Sequence, residues 1–319
     1  MYEEEEVEVP IYLITGFLES GKSTFINFTV AQDYFQIEEP TLLITTEEGE
    51  VEYDEKELLK YNTLLEVVEG PEQFTTDYLK HLKRRYRPER VILEYNPLWG
   101  VKKLEEMEMP NGWGIVQEIV TVDASTFQIY MQNMKSVFMD MSRNADMVMF
   151  NRCRPEDPLP AFRRSIKVVN PACDVLFEND EGEIDNIFED QMPFDLTADV
   201  IEIEDADYGI WYVDMGDHPE RYDGKTVHFR GMVLKSRDVG ADFFVPGRMA
   251  MTCCAEDTSF IGYVCKFASA KSLVMGQWVD VTATIHFEYR KVYEGEGPVL
   301  YAKAIKPAKA PESELVYFN

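Results

Sequence analysis

The sequence predicts an α/β domain, a mainly parallel sheet flanked by helices, followed by a small all-β barrel. Three observations carry this expectation. Near the N-terminus an apolar run, a glycine-containing loop and a helix-compatible stretch follow one another. Apolar strand-like runs then alternate with polar, helix-compatible stretches, the texture of a parallel sheet wrapped by helices. From about Tyr208 the texture changes to alternating strands with glycines at bends.

The first element, Ile11-Tyr12-Leu13-Ile14, is a short apolar run fit for a buried parallel strand. The segment Gly16-Phe17-Leu18-Glu19-Ser20-Gly21-Lys22-Ser23 then fits G-x-x-x-x-G-K-[S/T], the phosphate-binding loop of nucleoside triphosphatases. The two glycines let the backbone curl so that the N–H groups of Glu19, Ser20, Gly21, Lys22, Ser23 and Thr24 face one phosphate. Lys22 is expected to reach the β- and γ-phosphates, Ser23 to hold Mg²⁺, and Thr24 to reach the α-phosphate. Ser23 to Phe28 opens a helix whose N-terminus favours anions.

Thr41 to Thr45 reads as a strand, Thr75 to Tyr86 as a helix, and Val91 to Glu94 as a strand ending in a carboxylate. Ile115 to Asp123 and Met147 to Phe150 are further strands, and Val168 to Pro171 closes the series. Ligands of such sheets bind at the carboxyl ends of strands. The phosphate loop, Glu94, Asp123 and Asn151 all fall at or just after such ends. Residues 1–177 are therefore expected to form the nucleotide-binding domain. Residues 178–207, rich in Asp and Glu, read as an acidic connector with a short strand at Val200 to Ile203. In residues 208–319 the strands Thr226 to Leu234, Phe243 to Thr252, Phe260 to Phe267, Trp278 to Tyr289 and Val299 to Ile305 suit a closed barrel of the oligonucleotide/oligosaccharide-binding (OB) type. An extended strap, Lys306 to Pro311, follows.

The net charge is −28, yet residues 208–319 carry 13 Lys+Arg against 14 Asp+Glu, so nearly all the acidity lies in residues 1–207. Such a surface repels nucleic-acid backbones, and nucleic acid is not an expected partner. No apolar run is long enough to predict a membrane span, and the glutamate-rich start has the wrong charge for a secretory signal. Five sparse cysteines give no disulfide framework and point to a reducing cytoplasm.

The stretch Thr15 to Thr24 resembles the loop of the cobalamin-synthesis-W-like (CobW-like), or G3E, P-loop GTPases, a family that includes metallochaperones for zinc, cobalt or nickel. The resemblance extends over residues 10–190. Thr46 to Asp54 is similar to the family's Asn-Glu-Phe-Gly-x-Val-Gly-x-Asp switch segment, and Ile92-Leu93-Glu94 to its Walker-B strand. Val120 to Ala124 is similar to its Val-Val-Asp-Ala strand, Ala145 to Asn151 to the strand leading into the base-recognition motif, and Asn170-Pro171 to a further family signature. The resemblance implies binding and hydrolysis of GTP with Mg²⁺, Zn²⁺ or another transition metal as possible cargo, and catalytic roles for Lys22, Glu94 and Glu47. Glu94 would hold Mg²⁺ with Ser23 or orient the attacking water, Glu47 would sense metal or γ-phosphate, and Asn151 would touch the base or brace the loop.

The sequence also departs from the family. No cysteine remains where the family carries Cys-x-Cys-Cys, a region that here reads Leu65 to Glu72. Pro97 replaces the glycine after the Walker-B strand and has no N–H for the γ-phosphate. The guanine-reading Asn-Lys-x-Asp becomes Asn151-Arg152-Cys153-Arg154, and Arg154 has only donors where guanine needs an acceptor, which opens the site to ATP or a relaxed base choice beside GTP. Tyr222 to Val227, Gly231-Met232-Val233, Arg248 to Asp257 and Trp278 to Val281 give residues 208–319 a pattern that resembles the soluble domain of a permease-associated bacterial family of unknown function. Cys253 and Cys254 are a candidate soft metal site there, although neighbours on a strand point to opposite faces. Two functions follow as expectations: a slow NTPase coupling nucleotide state to metal or cofactor handling, or a non-hydrolysing adaptor for a protein client such as a permease.

Overall fold

The computed structural model describes residues 7–47, 53–184, 192–236, 239–251 and 258–316. The chain divides into two compact units, Met1–Leu159 with Ala172–Asn186, and Pro160–Pro171 with Ile187–Asn319.

The first unit runs β1 (Val9–Thr15), α1 (Lys22–Val30), β2 (Thr41–Thr45), α2 (Glu55–Lys60), β3 (Thr63–Val67), α3 (Thr76–Tyr86), β4 (Arg90–Glu94) and α4 (Val101–Glu105). It continues through β5 (Trp113–Asp123), α5 (Ala124–Asn133), α6 (Lys135–Ser142), β6 (Met147–Asn151), β7 (Asp174–Asn179) and β8 (Gly182–Glu183). Helix α7 (Leu159–Val169) lies between β6 and β7 in the chain. The strands form one sheet in the order β3-β2-β4-β1-β5-β6-β7-β8. Every pairing is parallel except the closing β7–β8 hairpin. Burial on both faces explains the near-continuous apolar runs: Leu13, Leu42, Leu43 and Val91 are wholly excluded from water. Ile26 and Val30 of α1 close over Ile14, Leu43 and Ile92. The parallel register is what positions the site. Ile14 and Thr45 both pair with Glu94, and Asp123 pairs with Asn151, so these strand ends share one edge of the sheet.

Two segments differ from the sequence expectation. Val168 and Val169 end a helix instead of forming a strand, because Phe162 and Ile166 recur at helical spacing and bury one face of α7. The last parallel strand of the sheet is β7, which crosses the expected boundary at 177. β3, not singled out from the sequence, adds the opposite edge.

In the second unit, β9 (Ile201–Glu202) precedes α8 (Tyr208–Asp217), which is followed by β10 (Thr226–Leu234), β11 (Phe243–Met251), β12 (Thr258–Gly262) and β13 (Val264–Lys266). Then come β14 (Trp278–Arg290), β15 (Gly295–Pro307) and β16 (Leu315–Val316). Strands β10, β11, β13, β15 and β14 pair in that order, and β14 returns to β10, closing a five-stranded barrel. The β13–β15 pair is parallel. The residues just after Tyr208, expected to begin the β texture, form α8. Tyr208, Trp211 and Met215 are spaced for one helix face, and all three are buried in the barrel core with Phe229, Val281 and Leu300. The acidic segment before α8 supplies Phe194, Ile201 and Ile203 to the same core.

Candidate phosphate site

The loop between β1 and α1 is built on backbone that most residues avoid. Gly16 has φ +146 and Gly21 φ +98. A Cβ on Gly16 would collide with Ser20 Oγ and the Thr121 carbonyl, and one on Gly21 would lie 2.7 Å from Asn151 Nδ2. Glu19, between them, is also left-handed at φ +64. The first bond of α1 runs from Phe25 N–H to Gly21 O at 2.9 Å, and no side chain caps the helix. The amides of Lys22, Ser23 and Thr24 therefore face out of a helix N-terminus, where an anion is favoured.

Neighbouring strands brace the loop. Ser20 Oγ lies 2.8 Å from Thr121 Oγ1. Asn151 Nδ2 donates to Ser20 O at 2.7 Å, while its buried Oδ1 has no partner among the described residues. Arg152 Nη1 donates to Glu19 O at 3.0 Å and to the Asp123 carboxylate. Asp123 also accepts from Ser125 N at 2.9 Å and Ser125 Oγ at 2.6 Å, capping α5. Burial opposes ionisation of Asp123, but the Ser125 hydroxyl and then Arg152 hold its carboxyl below the ordinary range.

Lys22 is 4% exposed. Its Nζ donates to Gly16 O at 2.8 Å and Phe17 O at 3.0 Å, and pairs with Glu47 Oε2 at 2.7 Å. The Glu47 contact is ionic in character: Oε2 lies off the hydrogen-bond direction. Glu94, 3% exposed, is held by three hydroxyls: Ser23 at 3.0 Å on Oε1, and Thr45 at 3.2 Å and Tyr53 at 2.7 Å on Oε2. Burial, and then the adjacent Glu94 carboxylate, push the Tyr53 phenol far above its ordinary range, so it acts as a donor.

Of the residues expected from the sequence, Gly16, Glu19, Ser20, Gly21, Lys22, Ser23, Glu47, Glu94 and Asn151 are brought together around this loop, and the exposed Thr24 lies in the first turn of α1. Tyr53, Thr45, Thr121 and Arg152 were not expected there as site residues. Thr45 and Thr121 each sit on an expected strand, and their strand-end positions were the available signal. Tyr53 gave none. In the stretch Leu65 to Glu72, Glu66 accepts from Tyr78 at 2.6 Å and Tyr86 at 2.5 Å. Arg85 adds an ion pair at 3.6 Å. The carboxylate is thereby engaged within the chain. Cys253 and Cys254 lie outside the described residues. Among the described residues, no group of three or more His, Cys, Asp or Glu side chains is arranged to hold a metal ion, and no helix is long and apolar enough to cross a membrane.

Residues 179–318 match the family model described as the DUF1980 C-terminal domain. No curated protein sequence matches the chain. Among solved structures, the hydrogenase maturation factor HypB from Archaeoglobus fulgidus superposes with 14% identity and a TM-score of 0.37, over 54% of this chain and 82% of its own. A Zn(II)-bound triple mutant of the YjiA GTPase superposes with 18% identity and a TM-score of 0.42, over 70% of this chain and 72% of its own.

Proposed function

We propose that the first unit binds a nucleoside triphosphate with Mg²⁺ and hydrolyses it slowly, as a P-loop GTPase or NTPase of the CobW-like G3E type that couples nucleotide state to metal or cofactor handling in the cytoplasm. One observation carries this reading. The bared amides of α1, the Lys22 ammonium and a Ser23 hydroxyl 3.0 Å from Glu94 converge on a loop whose two glycines leave no room for a Cβ. The donor set fits the group. Ser23 Oγ and the Glu94 carboxylate are hard oxygen ligands of the kind Mg²⁺ takes. Lys22 supplies the point charge a terminal phosphate requires. Bound Mg²⁺ would neutralise charge on the β- and γ-phosphate oxygens. Asn151 and Arg152 hold the loop through Ser20 O and Glu19 O. Slow turnover follows from Pro97, which is buried just after β4 and has no N–H to offer.

Calorimetry with Mg-GTP and Mg-ATP tests the reading. The chain is expected to bind at least one of them, and Lys22→Ala to weaken that binding by about a hundredfold or more, the loss expected for a buried charge-assisted contact. Equal affinity of the two proteins would refute it.

Pro97 favours a second reading, a non-hydrolysing adaptor whose nucleotide shapes the acidic surface for a protein client such as a permease. Tight nucleotide binding with no phosphate release under any divalent ion would select it. On either account base choice is relaxed: the Arg154 amide is tied to Asp157 Oδ2 at 2.7 Å, and its side chain has no acceptor for guanine. The second unit reads as an OB-type module. Its barrel order, first-second-third-fifth-fourth with the third and fifth strands parallel, supports that assignment. A soft metal at Cys253 and Cys254, such as Zn²⁺, remains part of the metal-handling proposal, and elemental analysis of the purified chain tests it.

A further inference from the structure

Three oxygens of this chain surround the Lys22 ammonium, which donates to Gly16 O and Phe17 O and is ion-paired with Glu47 Oε2. The lysine is 4% exposed and the glutamate 12%, so the pair is poorly screened. The two carbonyls are part of the loop that shapes the site. Glu47 is different, because its carboxylate is a charged side chain that can rotate away. Its stem is fixed. Thr45 Oγ1 donates to Glu47 O at 3.0 Å, and Thr46 N–H donates to Glu94 O at 3.0 Å. Thr46 Oγ1 in turn accepts from Asn96 N at 2.8 Å. Six residues after Glu47, Tyr53 donates to Glu94 at 2.7 Å. Glu47 and Tyr53 thus engage the two groups on which the nucleotide reading rests, the phosphate-binding ammonium and the carboxylate beside Ser23.

We infer that Glu47 and the terminal phosphate of a nucleotide exchange on Lys22, so that Glu47 sets the affinity for triphosphates and is released when one arrives. This rests on the nucleotide reading above. The ammonium cannot serve a terminal phosphate at full strength while Glu47 holds it, since both are anions competing for one cation. Binding must first open a pair that is costly to break inside a protein. Apparent affinity is reduced by the fraction of molecules in which the pair is open. Glu47 is therefore a specificity determinant between triphosphate and diphosphate as well as a sensor.

The experiment is calorimetric titration of the full chain, Glu47→Gln and Lys22→Ala with the Mg-complexes of ATP, GTP, ADP and GDP, with thermal unfolding of each protein without nucleotide. Glu47→Gln keeps the shape and removes the charge. It is expected to tighten triphosphate binding about tenfold, the factor for a pair open in roughly one molecule in ten. Diphosphates should gain by a smaller factor, and the nucleotide-free variant should melt earlier. Unchanged or weaker triphosphate binding by Glu47→Gln, with the parent binding normally, overturns the exchange and leaves the nucleotide reading standing. Triphosphate binding that appears only in the variant supports the exchange strongly. No heat with any nucleotide in either protein overturns both. Should Glu47→Gln fold poorly, Glu47→Asp, which shortens the reach to Lys22, is expected to shift affinity in the same direction by a smaller factor, and no shift there also overturns the exchange.

Discussion

The two units place several of their buried polar side chains differently. In the first, Ser20, Lys22, Thr45, Glu94 and Thr121 are nearly inaccessible to water, yet all lie in or beside one loop at the carboxyl ends of strands. In the second, the buried Arg248 and Asp214 find their partners at separate places. Arg248, 1% exposed, donates to Asp205 at 3.0 Å and Ser313 O at 2.7 Å, and Asp214 is closed by Arg221 at 2.7 Å and Tyr222 at 2.6 Å. Topology supplies the reason. Parallel strands all end on the same edge, so their terminal side chains are forced together even when far apart in sequence. A closed barrel pairs each of its strands on both sides and fills its interior with apolar side chains. The comparison teaches that the polar groups converge in the first unit for a structural reason, the shared edge on which its parallel strands end.

The comparison can be broken most severely in the barrel core. Trp211, wholly buried against Tyr208, Phe229 and Tyr263 with ring centroids 5.3, 4.8 and 6.0 Å away, is its largest side chain. Trp211→Ala should cost about 3–5 kcal/mol, seen in calorimetry as an earlier transition of the second unit alone. A single transition shifted as a whole would show that the two units do not unfold separately. A smaller effect is expected at Gly21, where φ is +98. Gly21→Ala should cost about 1–3 kcal/mol in the first unit and lower nucleotide affinity by more than about tenfold, a loss of roughly 1.4 kcal/mol or more. Retained affinity would mean that the loop adopts another conformation to bind.

The smallest effect sharpens the comparison by pH. Burial first, then Glu105 and Asp146, push the half-buried Glu118 carboxyl on β5 up to about 7 from an ordinary 4.5. The folded chain therefore holds a proton there that the unfolded chain has released, and stability falls as pH rises from 4.5 through about 7. Glu118→Gln should remove that slope and raise the melting temperature of the first unit by a few degrees at about pH 8, with little change at about pH 4. A variant that melts like its parent at both pH values would show that Glu118 is well solvated.

What could be read from the chain depended on distance along it. The loop from Gly16 to Ser23 was legible because every residue that shapes it is a near neighbour. The strands ending in Glu94, Asp123 and Asn151 were legible from short apolar runs, which also gave the sheet its interior. The helix α8 was not, since it is apolar around most of its circumference and buried, so no clean period marked it. β3 and β7 were missed because each is a short edge-side strand of mixed character, with intermediate burial at several positions.

The sequence alone determined the phosphate loop, the alternation that makes a parallel sheet, and the change to barrel strands, because turns and periodicity are local properties of the chain. Only the tertiary structure decided who meets whom there: Lys22 with Glu47, Tyr53 with Glu94 across 41 residues, and Arg152 with Glu19 O across 133. Those pairings follow from strand order and register, which are set by how the whole sheet buries its two faces, and no short window of residues contains that information.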